Sequence, residues 1–182
     1  HLRRWLTSLE TRPAEFVEPF AGGGICGLTT IFENLADSLT LIELDESVSS
    51  VWQVILNGKG KALAERIVCF DVTLENVRAV LDAENKSPLD KAFAAIVRNR
   101  MQRGGIMAPG ASLMKSGEAG KGLKSRWYSE TLKKRILDIV ERKKSITFIK
   151  GDGIAYLQSI AKRKDVACLV DPPYTVAGRR LY

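Results

Sequence analysis

The stretch FVEPFAGGG, residues 16–24, joins a predicted strand to a predicted helix through three consecutive glycines. The apolar residues at 14–18 predict the strand, and the pattern at 25–35 predicts the helix. Because glycine has no Cβ, such a turn lets a ligand approach the backbone closely. The glycines are not spaced as G-x-G-x-x-G, and no phosphate-binding Lys follows them. The turn therefore favours a nucleoside without phosphates, with a plain tight turn as the alternative.

Short apolar runs alternate with helical patterns on both sides of this stretch. Further strands are predicted at residues 39–44, 146–149 and 166–170. Further helices are predicted at residues 2–10, 46–56, 129–143 and 153–161. Strands that alternate with helices indicate a parallel sheet with helices on both faces. The expected fold class is therefore α/β, with a Rossmann-like core.

One long segment interrupts this alternation. Residues 58–128 contain three further predicted helices, at 61–68, 74–84 and 89–102, and the glycine-rich stretch 104–122 predicts a loop or lid. We interpret residues 58–128 as an inserted, mainly helical region. Residues 1–57 and 129–182 then form the core.

Acidic residues follow the second and third strands. Glu43 lies 19 residues after Gly24, close to the spacing of about 20 for the acid that binds the ribose of a nucleoside. Asp45 is the alternative for that role, although it could equally be a helix N-cap. Asp152 could accept a hydrogen bond from the adenine amino group of a nucleoside, or it could cap the helix that follows. These two roles of Asp152 are compatible.

A second motif, DPPY at residues 171–174, follows the last predicted strand. An exocyclic amine on a base is a poor nucleophile, because its lone pair is delocalised into the ring. The Asp171 carboxylate and the Pro172 carbonyl could accept its N–H bonds and so release that lone pair. Pro172 and Pro173 stiffen the turn, and Tyr174 offers a flat face for an extruded base. With the glycine-rich turn, the motif indicates a methyltransferase that uses S-adenosylmethionine and acts on a base nitrogen.

The two motifs together resemble the Dam-type (D12 class) DNA N6-adenine methyltransferases. Members of that family carry a Phe-x-Glu-Pro-Phe-x-Gly-x-Gly-like cofactor motif, an inserted target-recognition region, and then Asp-Pro-Pro-Tyr. The stretch RNRMQRGGIMAPG, residues 98–110, is similar to a segment of phage and prophage members. The resemblance implies a class I S-adenosylmethionine-dependent fold, with residues 58–128 as the target-recognition region.

The resemblance also implies residue roles. The implied catalytic residues are Asp171, Pro172, Pro173 and Tyr174. The implied cofactor contacts are Glu18, Pro19, Phe20, Ala21, Gly22, Gly23, Gly24, Glu43, Asp45 and Asp152. The family usually has a Gly-Gly-Lys motif before the first strand and further strands after the last one, so we expect this chain to be incomplete at both ends.

Positive charge is concentrated in residues 98–135, where ten Lys and Arg face two Glu. Such a surface suits double-stranded DNA, since Arg and Lys neutralise phosphates and Arg or Asn can read base edges. The candidate DNA contacts are Arg98, Asn99, Arg100, Arg103, Lys124 and Arg126. The alternative is a solvated basic face. Met101 and Ile106 could be apolar wedges, but local core is the expected role of both. Trp127 and Tyr128 are expected to pack rather than to stack on a base.

Composition bears on the partner, the compartment and the role of the cysteines. The net charge of +7 suits a polyanionic partner. No apolar run approaches 18 residues, so no membrane span is expected. The three cysteines, at positions 26, 69 and 168, are widely spaced, which predicts packed core thiols rather than a metal site or disulfides. We expect a monomer in the reducing cytoplasm of a bacterium, encoded by the cell or by a phage.

The sequence therefore predicts an adenine-specific DNA methyltransferase that acts on a flipped base, either solitary or with a restriction partner. N4-cytosine methylation of DNA and methylation of an RNA base use related motifs and are alternatives. The remaining alternative is an inactive, prophage-derived protein that binds DNA.

Overall fold

The computed structural model describes residues 1–84, 87–105, 107, 111–114, 120 and 122–172. Its strands are β1 (Glu15–Glu18), β2 (Ser38–Glu43), β3 (Ile146–Lys150) and β4 (Val166–Cys168). Its α-helices are α1 (Leu2–Thr7), α2 (Ile25–Phe32), α3 (Glu46–Val54), α4 (Gly60–Cys69), α5 (Leu74–Asp82), α6 (Pro88–Met101), α7 (Ser129–Arg142) and α8 (Gly153–Ile160). Residues Ile55–Lys59 join α3 to α4 through a kink, in which Asn57 and Gly58 are not helical and Gly58 has φ +92°.

The four strands form one parallel sheet in the order β3-β2-β1-β4. Val17 of β1 lies opposite Thr40 of β2 on one side and Cys168 of β4 on the other. The first strand is therefore central, and Phe16 and Val17 are fully buried. This is the order of the first four strands in doubly wound nucleotide-binding folds, in which the winding reverses between β1 and β4. The predicted α/β class with a parallel sheet is thus confirmed.

Helices cover both faces of this sheet. Gly27 of α2 lies against Leu39 of β2, so close that an added Cβ would be 2.5 Å from Leu39 Cδ1. The next residue on the strand, Thr40, shares the carboxylate of Glu15 with the Tyr156 hydroxyl of α8. Successive side chains of a strand point to opposite faces. It follows that α2 and α8 lie on opposite sides of the sheet.

Glu15 fixes the amino-terminal end of the sheet. Its buried carboxylate accepts hydrogen bonds from Thr40 of β2, from Tyr156 of α8 and from Arg163, which precedes β4. Arg163 also pairs with Asp165 at the start of β4. A buried carboxylate with this many donors is satisfied. Its role is to hold β4 and α8 on β1.

The chain separates into two compact units. The first contains residues 1–49 and the chain from residue 141 to the last described residue, 172, and it includes the whole sheet. The second contains residues 50–140 and is helical. Its interior is built from buried side chains of α4, α5, α6 and α7, among them Leu63, Ile67, Val77, Phe93, Val97, Met101, Ile136 and Ile139. The predicted boundaries of core and insertion, at residues 58 and 128, stay a prediction.

An aromatic cluster closes the interior of the second unit. The ring of Phe93 lies 5.1 Å from that of Phe70, and Trp127 contacts both rings edge-on. The guanidinium of Arg66 lies 4.4 Å above the Phe93 ring and pairs with Asp90. Met101 is fully buried and Trp127 packs in this cluster, so the expectation is confirmed for these two residues. It is wrong for Tyr128, which is 56% exposed. Ile106 lies outside the described residues.

A few details differ from the sequence predictions. Helix α2 ends at Phe32 rather than at residue 35, because Asn34 adopts a left-handed conformation with φ +53°. Helix α1 ends at Thr7 and strand β4 at Cys168, both earlier than predicted. The prediction of a packed thiol is wrong for Cys69, which is exposed because it lies off the buried stripe of α4. Most of the predicted lid at 104–122 lies outside the described residues.

Candidate functional site

The two sequence motifs meet at one edge of the sheet. Strands β1 and β4 are parallel neighbours, so the residues that follow both of them emerge at the same, carboxyl end. The pairing continues one step past β4, where the Leu169 N–H donates to the Val17 carbonyl at 3.0 Å. This edge lies where the strand order reverses, which is where ligands bind in open α/β sheets.

Glu18 is the charged group at the centre of this edge. It is only 7% exposed, and its Oε2 accepts a 2.7 Å hydrogen bond from the Gly27 N–H at the start of α2. Burial raises the pKa of Glu18 to about 7, against the lowering effect of the backbone donors Gly27 and Cys26. The negative charge of Asp171 raises that pKa further. Asp171, from the second motif, therefore lies close to Glu18, from the first.

Cys26 belongs to the same cluster. Burial raises the pKa of its thiol, and the charges of Glu18 and Asp171 raise it further. A thiol in this setting stays protonated and is a poor nucleophile. Cys26 was expected to be a packed thiol, and its half-buried surroundings indicate a spectator thiol beside two carboxylates.

The glycine-rich turn is held by hydrogen bonds to the neighbouring strand. The Ala21 N–H donates to the Ile42 carbonyl at 2.9 Å, and the Gly24 N–H closes the turn onto the Ala21 carbonyl at 2.7 Å. Gly22 and Gly24 have positive φ, +49° and +62°, which explains glycine at both positions. Gly23 differs, because its φ is not in that region and it is exposed. An added Cβ would meet nothing within 4 Å at Gly22 or at Gly23. The open space beside Gly23 is what a ligand lying against the turn would need.

Glu43, the predicted ribose-binding acid, lies directly beside the turn. Its Oε2 accepts from the Gly22 N–H and its Oε1 from the Asp45 N–H, both at 2.9 Å. The carboxylate therefore links the end of β2 to the turn after β1. Each carboxylate oxygen has a second lone pair, so these bonds leave Glu43 able to accept hydroxyl donors as well.

The two aspartates both act as helix caps. Asp45 Oδ1 accepts from the Val48 N–H at 2.8 Å at the start of α3. Asp152 Oδ1 accepts from the backbone N–H groups of Ile154 and Ala155, at 2.7 and 3.1 Å, at the start of α8. The capping alternative is thus confirmed for both residues, while their predicted cofactor contacts stay predictions. Asp152 remains exposed at the same edge of the sheet.

Exposed apolar side chains follow the strands that end at this edge, and sequence reasoning missed them. One large apolar residue follows each of the four strands: Ile25, Leu44, Ile154 and Val170, at 69%, 68%, 50% and 50% exposure. No other large apolar residue described in the first unit is as exposed. The signal was available, since each lies within seven residues of a strand end and breaks the pattern expected of a solvated loop. Such side chains suit the flat faces of a nucleoside base.

The predicted DNA contacts all lie in the second unit. Arg98, Asn99, Arg100 and Arg126 are half-buried, and Arg103 and Lys124 are exposed. Lys124 lies 4.0 Å from Asp71. The Asn99 amide donates to the Gly105 carbonyl at 3.3 Å. Burial lowers the pKa of Arg100, and the positive charges of Arg126 and Arg135 lower it further.

A short antiparallel contact holds the chain that follows α6. Gln102 pairs with Leu113, the Arg103 N–H donates to Ser112 and the Met114 N–H donates to Met101. This contact holds residues 101–103, at the end of α6, against residues 112–114.

Two of the predicted catalytic residues, Pro173 and Tyr174, lie outside the described residues. Across the part of the chain that is described, no helix is long and apolar enough to cross a membrane. Within the same ranges, no group of three or more His, Cys, Asp or Glu could hold a metal ion.

No protein-family model matches the chain, and no match is found among curated proteins.

Proposed function

We propose that this protein is a DNA adenine N6-methyltransferase that binds S-adenosylmethionine at the carboxyl end of its sheet. The observation that carries the proposal is the convergence of the two motifs. Glu18 and Asp171 are far apart in sequence, yet their charges interact at the edge where β1 and β4 end. A nucleoside and a base amine held by the two motifs would therefore be neighbours.

The residues at this edge fit the cofactor. The open backbone at Gly23 gives room for its amino-acid or ribose portion. Glu43 has acceptor capacity for ribose hydroxyls, and the exposed Leu44 and Ile154 offer apolar surfaces for the adenine ring. Asp152 lies beside Ile154 with a carboxylate that can accept from an amino group. When bound, the cofactor would supply an electrophilic methyl group.

The protein's own contribution is positioning and electrostatics. The Asp171 carboxylate is exposed at the edge, so a base amine can reach it. Accepting one N–H of the amine, with the Pro172 carbonyl accepting the other, would draw the nitrogen toward tetrahedral geometry. Glu18 lies close to Asp171, and its ionised form would add negative potential that favours the positive charge developing on the amine.

The target base must leave the duplex to reach this edge. The basic second unit supports a DNA partner, because it provides arginines without acidic partners among the described residues. The N6 position of adenine, rather than N4 of cytosine, is proposed on the resemblance of the FVEPFAGGG motif. The recognition sequence is not part of the proposal.

Two measurements test this function. Calorimetry should detect binding of S-adenosylmethionine and of its demethylated product to the purified protein. Incubation with duplex DNA and cofactor, followed by digestion and mass spectrometry, should yield N6-methyladenosine in its deoxy form. N4-methylcytosine would correct the target base, and a methylated ribonucleoside, obtained only with RNA, would correct the substrate. A folded protein that binds neither form of the cofactor would contradict the proposal.

A further inference from the structure

Ser49, near the start of α3, is a buried serine whose hydroxyl reaches back to the end of β2. It is only 1% exposed, and its Oγ donates to the Glu43 carbonyl at 3.1 Å. The same carbonyl accepts from the Gly151 N–H, just after β3, at 3.0 Å. A backbone carbonyl has two lone pairs, so both are used here, and one of the two donors is a side chain.

This hydrogen bond is not the one that a hydroxyl in a helix makes by default. Ser and Thr in helices commonly donate to the carbonyl three or four residues earlier in the same helix, as Thr29 does to the Ile25 carbonyl. The Ser49 hydroxyl passes over the Asp45 carbonyl, which accepts the Ser49 N–H. It donates instead to a residue of the strand, six positions back. The hydroxyl therefore links α3 to β2.

The bond closes a ring of hydrogen bonds around the Glu43 side chain. Glu43 Oε1 accepts from the Asp45 N–H at 2.9 Å, the Asp45 carbonyl accepts from the Ser49 N–H at 2.9 Å, and the Ser49 hydroxyl returns to the Glu43 carbonyl. The other carboxylate oxygen accepts from the Gly22 N–H. The Glu43 carbonyl belongs to the peptide that leads through Leu44 to Asp45. Holding this carbonyl therefore helps to set the direction of the Asp45 N–H, which in turn holds the carboxylate.

We propose that Ser49 is a positioning residue for cofactor binding, which orients the Glu43 carboxylate toward the ribose hydroxyls of S-adenosylmethionine. The inference rests on the proposed function, in that Glu43 is taken to accept those hydroxyls. A carboxylate that already holds two backbone N–H groups can accept further donors only from the directions of its remaining lone pairs. A small rotation would therefore weaken the ribose contact. Because Ser49 is buried, it acts through Glu43 rather than by touching the cofactor.

The first test compares two ligands by calorimetry: S-adenosylhomocysteine, which is the demethylated cofactor, and its analogue without ribose hydroxyls. Ser49→Ala should weaken binding of S-adenosylhomocysteine about three- to tenfold, the effect expected when about one hydrogen bond to the ligand is lost. It should not change binding of the analogue, because the carboxylate that Ser49 positions has no partner on that ligand. Equal weakening of both ligands would mean that Ser49 only stabilises the fold.

Ser38→Ala is the matched control for this replacement. Ser38 begins the same strand, and its hydroxyl also donates to a backbone carbonyl, that of Ala14 at 2.9 Å, but at the opposite end of the sheet. Both replacements should lower the melting temperature, because each leaves a carbonyl with one donor fewer. Only Ser49→Ala should change the affinity for S-adenosylhomocysteine. A loss of affinity of the same size in Ser38→Ala would show that affinity follows stability, and would overturn the inference.

The second test asks whether Ser49 acts through Glu43. In a Glu43→Ala background, Ser49→Ala should cause no further loss of affinity, because the group that it positions is absent. In the otherwise unchanged protein, Ser49→Ala should raise the KM for S-adenosylmethionine and leave kcat nearly constant at saturating cofactor, because the weakened contact holds the ribose rather than the reacting methyl group. Additive losses from the two replacements would overturn the positioning role. The comparison of ligands needs no Glu43 variant, so it decides the question even where Glu43→Ala fails to fold.

The outcomes separate this inference from the proposed function. If the wild type prefers the ligand with ribose hydroxyls and Ser49→Ala keeps that preference, the role of Ser49 alone is overturned. If the wild type binds both ligands equally, the ribose contact of Glu43 is overturned, and this inference with it, while cofactor binding stands. A folded protein that binds neither ligand overturns the proposed function as well.

Discussion

The backbone of Gly153 lies so close to Pro19 that an added Cβ would be 1.9 Å from the Pro19 carbonyl oxygen. Gly153 begins α8, and Pro19 begins the glycine-rich turn after β1. The approach therefore holds the start of one helix directly against the loop that would face a cofactor. Because the contacting atom belongs to the backbone, it cannot move aside as a flexible side chain would.

Gly153→Ala should lower the free energy of unfolding, because the Cβ forces the Pro19 backbone to move. The expected loss is about 1–3 kcal/mol, as for other insertions into packed regions. Gly151→Ala is the matched control, since its Cβ would meet only the Ile149 methyl group, at 3.7 Å. Urea denaturation of both variants checks the prediction. Equal stability of the two would show that the turn and α8 are not in this contact.

Gly23→Ala should leave stability almost unchanged, within about 0.5 kcal/mol, because Gly23 is exposed and has open space beside it. It should nevertheless weaken binding of S-adenosylmethionine, since the methyl group occupies the space proposed for the ligand. Gly22→Ala is the contrast, because φ +49° strains any side chain there and should cost about 1–2 kcal/mol of stability. Calorimetry of cofactor binding and urea denaturation separate the two effects. Undiminished affinity of Gly23→Ala would show that the ligand does not lie against this turn.

Much of the core could be predicted because its signals are local. The apolar runs that become β1 and β2 stand beside glycines and helical patterns, and a parallel sheet follows from that alternation. The spacing of Glu43 from the glycines predicted an acid beside the turn. Its hydrogen bonds to Gly22 and Asp45 could not be predicted, because they depend on how β2 aligns with the turn. Register between strands is a tertiary property.

Other features depend on contacts between distant segments and leave weak signals in one sequence. In the sequence, Gly27 looks like an ordinary helical glycine. In the structure, its lack of a side chain makes room for the Glu18 carboxylate, because an added Cβ would lie 2.5 Å from Oε2. The half-buried position of Arg100, which lowers the pKa of its guanidinium, depends on how α6 packs in the second unit. Charge counting along the chain could show only that the region is basic. The burial of Glu18 likewise appears only when α2 is packed on the sheet.

Glu18→Gln should remove a pH dependence of stability. The folded pKa of Glu18 is raised to about 7 from an ordinary value of 4.5, so the folded protein binds more protons than the unfolded chain between these values. The stabilising contribution is therefore fully present below pH 4.5 and is lost as the pH rises through about 7. Glutamine stays neutral and can still accept from Gly27.

The free energy of unfolding of Glu18→Gln, relative to the wild type, should thus increase from pH 5 to pH 8. The increase should be of the order of 3 kcal/mol, at about 1.4 kcal/mol for each pKa unit. Urea denaturation at the two pH values measures it, and other titrating groups cancel in the comparison. A constant difference between the proteins would mean that Glu18 is ionised throughout and that its burial is less costly than the structure indicates.

If the proposed function is right, Asp171→Asn should abolish most methyl transfer while leaving cofactor affinity nearly constant, because Asp171 is proposed to act on the target amine rather than on the cofactor. A loss of about 10²-fold or more in kcat is expected for removal of a charged group that acts on the reacting atoms. The same replacement should also lower the pKa of Glu18, since the charge of Asp171 contributes to raising it. The pH at which Glu18 loses its stabilising effect should then shift downward. Asp165→Asn, at the opposite end of β4 where Asp165 pairs with Arg163, is the matched control and should retain activity. A normal kcat of Asp171→Asn would show that Asp171 does not act on the reacting amine. An unchanged pH for the loss of the stabilising effect of Glu18 would show that the two carboxylates do not share the site.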